Sequence, residues 1–232
     1  MHLPRRALAL AATLLALSGC DAASAAPALE LAPAATPALA TENDTASTNL
    51  LARADLGRIE GRGTATVWLI VISDFQCPFC KKWHEETGPI IEREYVNTGK
   101  VRIAYLNLPI STHRNAQPAH EVAMCAAEQG AFWPVADALF ATQDRWKSRA
   151  EPEPFFDSLA VRLVDDDARY RQCITTGVTR PLIDADVSRV TRIGVGSTPT
   201  FIVGQQMIVG AQPIETFRRV LNAALAGTGP TR

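Results

Sequence analysis

Cys77 and Cys80 stand two residues apart in "VISDFQCPFCKKWHEE", Val71 to Glu86, where an apolar, strand-like run gives way to a helix-like one. Cysteine usually hides in cores as a small apolar residue. Two of them at a strand-to-helix junction, with Pro78 and Phe79 between, suit thiol–disulfide exchange. That reaction needs a thiolate nucleophile. A helix N-terminus supplies unpaired N–H groups and the positive end of the helix dipole, which stabilise Cys77 as thiolate. Cys80, one turn further in, is close enough to close a small disulfide ring. On this reading Cys77 is the exposed, attacking sulfur and Cys80 the buried, resolving one. A purely structural disulfide is the alternative, but so short a loop would stabilise little. A zinc site needs further ligands; there is no second Cys-x-x-Cys, and His84 alone does not supply them.

The elements that must position the pair can be read from hydrophobic period. "TATVWLIV", Thr64 to Val71, is a continuous apolar, β-branched run, as expected of a strand buried on both faces. Pro78 suits the first turn of a helix, where its missing N–H is harmless. That helix is expected to run to Val96 or Asn97, with a kink at Pro89 after Gly88. "KVRIAYLNLP", Lys100 to Pro109, reads as the next strand, so a βαβ unit with parallel strands is expected. Residues 112–194 carry four or five helical patterns instead, among them "NAQPAHEVAMCAAEQG", "FWPVADALFATQ" and "DDARYRQCITTG", the last with an acidic start and a glycine stop. "TFIVGQQMIVG", Thr200 to Gly210, reads as a hairpin turning at Gly204-Gln205-Gln206, and "PIETFRRVLNAALA", Pro213 to Ala226, as a closing helix.

The chain has 232 residues, 47% of them apolar, enough for one domain with a tail or two small domains. A formal charge of -1 gives no basic excess of the kind that points to nucleic acid. The first residues, "MHLPRRALALAATLLALSGC", place Arg5 and Arg6 before an apolar run too short to span a bilayer comfortably. The ending "LSGC" resembles the lipobox of bacterial lipoproteins, which implies a signal over residues 1–19 and a lipid on Cys20. An ordinary secretory signal cleaved near Ala23 to Ala25 is the alternative, and twin-arginine export has less support. Either way the protein is expected to be exported, where disulfides persist. Residues 20–49 are rich in Ala, Pro, Thr and Ser and read as a flexible tether. Order is expected from about Leu50. Cys125 and Cys173, on two helices of the 112–194 region, are expected to form a structural disulfide worth roughly 4 kcal/mol by loop entropy; two buried free thiols are the alternative.

The order βαβ, helical stretch, ββ hairpin, helix, with a Cys-x-x-Cys heading the first helix and Thr198-Pro199 before the hairpin, resembles the thioredoxin superfamily. The resemblance is to its DsbA-like branch of exported disulfide oxidoreductases, and it covers roughly residues 55 to 226. "SDFQCPFC", "HRNA" at His113 to Ala116, "CAAEQGAFW" and "GVGSTPTFIVG" carry it. It implies an α/β fold: a thioredoxin-like domain over 50–111 and 195–228, with a helical insert over 112–194 between its two halves. It further implies a cis Thr198–Pro199 bond, with Pro199 opposite Cys77 and the Thr198 backbone free to receive an extended substrate strand. Many relatives carry a buried acid six residues before the first cysteine; Val71 stands there in this chain. Asp74 either takes over that role or lies at the surface. No histidine stands between the cysteines to stabilise the thiolate. His84 either tunes the pair or is a solvated surface group, and His113 either rims the site or neighbours a helix cap. The implied function is a membrane-tethered thiol–disulfide oxidoreductase that forms disulfides in unfolded or reduced secreted proteins and is reoxidised by a quinone-linked membrane oxidase. The alternatives are a reductase or isomerase kept reduced by a membrane donor, and a non-enzymatic binding or chaperone lipoprotein. An isomerase would usually dimerise; no dimerisation domain is visible, so a monomer is expected, with no cofactor, no metal and no nucleic-acid partner.

Overall fold

A computed structural model describes residues 42–227. At its centre is a five-stranded sheet in the order β1-β3-β2-β4-β5. Strand β2 (Val67–Ser73) pairs in parallel with β3 (Val101–Asn107), with Val71 opposite Tyr105 and Ser73 opposite Asn107. Strand β4 (Thr200–Val203) lies antiparallel on the other side of β2, and β5 (Gln206–Val209) follows it through a turn at Gly204 and Gln205. The short β1 (Ile59–Glu60), absent from the sequence reading, adds antiparallel to β3. Two residues carry too little pattern to register as a strand.

The first helix after β2 is broken as its sequence suggests. α2 (Pro78–Glu86) stops before Gly88-Pro89, a short α3 (Gly88–Ile91) follows, and a π-helical turn over Glu92–Val96 closes the segment. Between β3 and β4 come α4 (Ala116–Ala127), α5 (Phe132–Ala141), a short α6 (Gln143–Trp146), α7 (Glu153–Ala160), α8 (Asp167–Thr176) and α9 (Arg180–Arg192). Asp166 caps α8 by accepting the Arg169 N–H, and Gly177 ends it in the left-handed conformation at φ 62°, which glycine adopts without steric cost. The last helix, α10 (Ile214–Leu225), packs on β2 and β4.

Both sheet faces are covered. One, with Leu69, Val71, Tyr105 and Phe201, joins a core that continues through α2 and α10 into the insert at Phe132, Phe140 and Trp146. The other, with Ile72 and Leu108, is closed by Val190 of α9 and by Val195.

The tether expected as far as residue 49 gives way at Glu42 to a helix, α1 (Glu42–Gly57). Its apolar residues form no strong stripe, so period did not reveal it; packing holds it. Ala54 is buried, Arg53 pairs with Glu128, and Gly57 lies so close to α4 that an added Cβ would sit 2.1 Å from the Ala127 carbonyl oxygen. Just beyond it, buried Arg58 pairs with Asp186 of α9; Asp186 accepts from Asn107 of β3, and Asn107 accepts at Oδ1 from His120 Nδ1 of α4. Burial lowers the His120 pKa to about 4 and keeps it neutral. The expected signal, Cys20 and the tether before Glu42 lie outside the described residues.

Candidate active site at the head of the second helix

Cys77 is the N-cap of α2, in extended conformation, and Pro78 opens the helix. The antiparallel pairing of Ile72 with Thr200 brings the segment before β4 beside the end of β2. That segment contains the cis Thr198–Pro199 bond. The Cys77 thiol donates to the Thr198 carbonyl oxygen at 3.5 Å. Cys80 accepts from the Asp74 N–H, also at 3.5 Å. Both cysteines are free thiols. The expectation of an exposed Cys77 is corrected: the residue is 5% accessible and Cys80 1%, while Phe79 between them is 61% exposed. The helix start holds Cys77 against the Thr198 loop, so only an edge of it meets solvent.

The two thiols are displaced in opposite directions. The Cys77 pKa falls to about 6: the Cys80 thiol donates to its sulfur, burial opposes, and the Thr198 side chain and the N–H groups of Cys80 and Phe79 add to the fall. Burial is the main cause that lifts Cys80 well above its ordinary value, reinforced by Cys77. The N–H groups at the helix start do contribute, as the sequence suggested, but the neighbouring thiol contributes more.

Asp74 is not a surface residue; it is wholly buried. Its carboxylate accepts from the Gln76 N–H at 2.7 Å, from the Ile110 N–H at 2.8 Å, and from His113 Nδ1 at 2.7 Å. Its backbone N–H, not its carboxylate, touches Cys80. His113 thus ties the start of the insert to the loop before Cys77. His84 is not freely solvated either: Nε2 meets Asp137 at 2.7 Å and its ring lies 4.5 Å from Phe140, both on α5.

Three further residues hold the loop, and sequence reasoning missed them. Gln143 of α6 donates to the carbonyls of both Phe75 and Cys77, at 2.8 and 3.1 Å. Gln76 accepts from the Asn115 N–H and donates to the Lys147 carbonyl. Asn115 donates to the carbonyls of Trp146 and Arg149. A glutamine 66 positions from its partner leaves no local signal; Gln76 and Asn115, inside quoted motifs, could have been singled out. Farther off, Cys125 of α4 and Cys173 of α8 are disulfide-bonded, with Cα atoms 5.8 Å apart. Among the described residues no group of acidic, histidine or cysteine side chains could hold a metal ion, and no helix is long and apolar enough to cross a membrane.

A family model described as Thioredoxin matches residues 54–223. A Na(+)/H(+) antiporter NhaA 3 of Salinispora tropica is 32% identical over 173 residues, which are 74% of this chain and 25% of that protein. The chain thus spans about a quarter of the length of that relative. Disulfide bond formation protein D of Bacillus subtilis is 20% identical over 176 residues, 72% of this chain and 76% of that one. Among solved structures, oxidised BdbD from Bacillus subtilis superposes with a TM-score of 0.67 at 18% identity, covering 74% of this chain and 95% of that one; it shares the fold, helical insert included.

Proposed function

This chain belongs to the thioredoxin family, and on that premise we propose that it is a DsbA-like thiol–disulfide oxidoreductase that works through Cys77 and Cys80. The observation that carries this reading is the split between the two thiols. Cys77, at the solvent edge, has a pKa near 6, and Cys80, behind it, is held well above its ordinary value. At neutral pH one sulfur is a nucleophile and a good leaving group; the other stays protonated until it is needed.

In the oxidising direction a substrate thiol, having lost its proton to solvent, attacks Cys77 of the Cys77–Cys80 disulfide. A mixed disulfide forms, and Cys80 leaves and takes up a proton. A second substrate thiolate then attacks the substrate sulfur and expels Cys77 as thiolate. The substrate is oxidised by two electrons and the pair is reduced. The Thr198 backbone lies beside Cys77, a place where an extended substrate strand could add by β-type pairing. We take the substrates to be unfolded or reduced secreted proteins. The protein acts after export, held to a membrane through lipidated Cys20 and recharged by a membrane thiol oxidase. The lipobox-like N-terminus and the kinship with a protein named for disulfide bond formation support this assignment.

The test is trapping. Cys80→Ser should accumulate mixed disulfides with unfolded proteins that carry disulfides, because the Cys77 thiolate attacks one sulfur, the other leaves as thiolate, and no Cys80 remains to release the adduct; on non-reducing gels each should be linked through Cys77. Cys77→Ser should accumulate none. Adducts linked through residue 80 in the second variant would sink the assignment of roles.

A further inference from the structure

Behind the cysteine pair the sheet carries two hydroxyls that the reaction above leaves unused. Residues paired across strands share a face, and so do residues two apart along one strand. Val71 and Ser73 of β2 therefore line the same face as Tyr105 and Asn107 of β3, the face against which α2 packs. Ser73 and Tyr105 are both buried. The Tyr105 ring is fixed by stacking on Phe75 at 5.1 Å and by an edge contact with Phe132 at 5.1 Å. Its buried Oη makes no hydrogen bond of regular geometry, with the Ser73 hydroxyl as a near neighbour, and an orphaned buried group calls for an explanation. Ser73 lies near both sulfur and phenol: its hydroxyl favours charge on Cys80 and on Tyr105 alike, and Cys80 in turn disfavours charge on Tyr105. The Asp74 N–H reaches the same sulfur.

We propose that Ser73 and Tyr105, with the Asp74 N–H, form a donor cradle that receives Cys80 as the leaving thiolate when the Cys77–Cys80 disulfide is opened. The inference rests on the redox reading of that pair. When an incoming thiolate attacks Cys77 Sγ, a new S–S bond forms, the Cys77–Cys80 bond breaks, and its electron pair leaves on Cys80 Sγ. That sulfur is out of water, so its charge must be met by protein donors. Ser73 acts on the sulfur directly. Tyr105, reaching it through Ser73, is a positioning residue. Once a proton arrives from solvent, Cys80 is a neutral thiol and the Ser73–Tyr105 chain has no charge to meet, which is the state seen with both cysteines reduced and Tyr105 Oη unpaired. The titratable groups around Cys80 are Cys77 and Tyr105; the Asp74 carboxylate is hydrogen-bonded to Ile110 and His113, though its charge also bears on Tyr105.

The cradle is a kinetic device. A leaving thiol of lower pKa departs faster. At neutral pH the finished product has Cys80 protonated, so the equilibrium constant does not depend on the cradle. Tyr105→Phe removes Oη and keeps the ring. Oxidised protein is mixed with reduced glutathione, and the rate of disulfide opening and the equilibrium constant are measured separately. The opening rate should fall roughly three- to tenfold, with the equilibrium constant within about twofold of wild type and the thermal midpoint unchanged or higher. Ser73→Ala should slow opening in the same way. In a Cys77→Ser background, Tyr105→Phe should also move alkylation of Cys80 to higher pH. Wild-type opening rates in both variants would overturn the cradle, as would equal changes in rate and equilibrium, which mark a merely structural role. A wild-type protein that never forms the Cys77–Cys80 disulfide would instead remove the redox reading, and the cradle with it.

Discussion

Removing the Cys80 sulfur tests what lowers Cys77. The Cys80 thiol is the largest support of the Cys77 thiolate, ahead of Thr198 and the helix N–H groups, so Cys80→Ala should shift the pH midpoint of Cys77 alkylation upward from about 6. The same depression makes the reduced protein's stability depend on pH. A thiol whose folded pKa lies below its unfolded value near 8.5 contributes stability that is complete above the unfolded value and is lost as pH falls through the folded one. Reduced protein should therefore gain thermal stability between about pH 6 and pH 8.5, a gain that Cys77→Ser should lack in paired melting curves. A flat profile in the wild type would show that Cys77 titrates normally. Sequence gave the direction of this shift, because a helix start stabilises anions whatever the fold. It could not give the ranking of causes, since that depends on how the Cys80 thiol is turned and on Thr198, 121 positions away.

Elements hold the loop from two sides: β2 and α2 deliver the cysteines, and the insert grips the backbone around them. Gln143→Ala leaves the buried Phe75 carbonyl without its side-chain donor and removes one donor from Cys77, whose carbonyl still accepts from Lys81. An unsatisfied buried group costs about 1–3 kcal/mol, so the denaturant midpoint should drop accordingly, with mixed-disulfide trapping slowed as the Cys77 N-cap loosens. An unchanged midpoint would mean that the loop keeps its shape without α6. The same division explains what could be read in advance. The apolar runs of β2 and β3, the glycine after α8 and the hairpin are local patterns, and each appears where its residues place it. α1 lacks a clear apolar stripe and is held by Arg53, Ala54 and Gly57 against α4. Asp74 stayed open between a buried and a surface place because two of its partners, Ile110 and His113, come from beyond β3.

At the scale of the whole molecule, the Cys77–Cys80 pair and the Cys125–Cys173 bond are both out of solvent but differ in reach: the first lies beside an exposed Phe79, the second joins two helices within the core. Cys125→Ser combined with Cys173→Ser should lower the stability of the domain by about 2–5 kcal/mol in urea unfolding while leaving Cys77 alkylation in place; loss of Cys77 reactivity would show that the staple also shapes the active site. The staple gives the molecule a history. A newly made chain carries four thiols from Cys77 to Cys173, and joining Cys125 to Cys173 takes a two-electron oxidant. In the folded protein both sulfurs of that bond are buried. Material matured in a reducing cytoplasm should therefore yield alkylation at Cys125 and Cys173 on unfolding, where material matured in an oxidising compartment should yield none at those two.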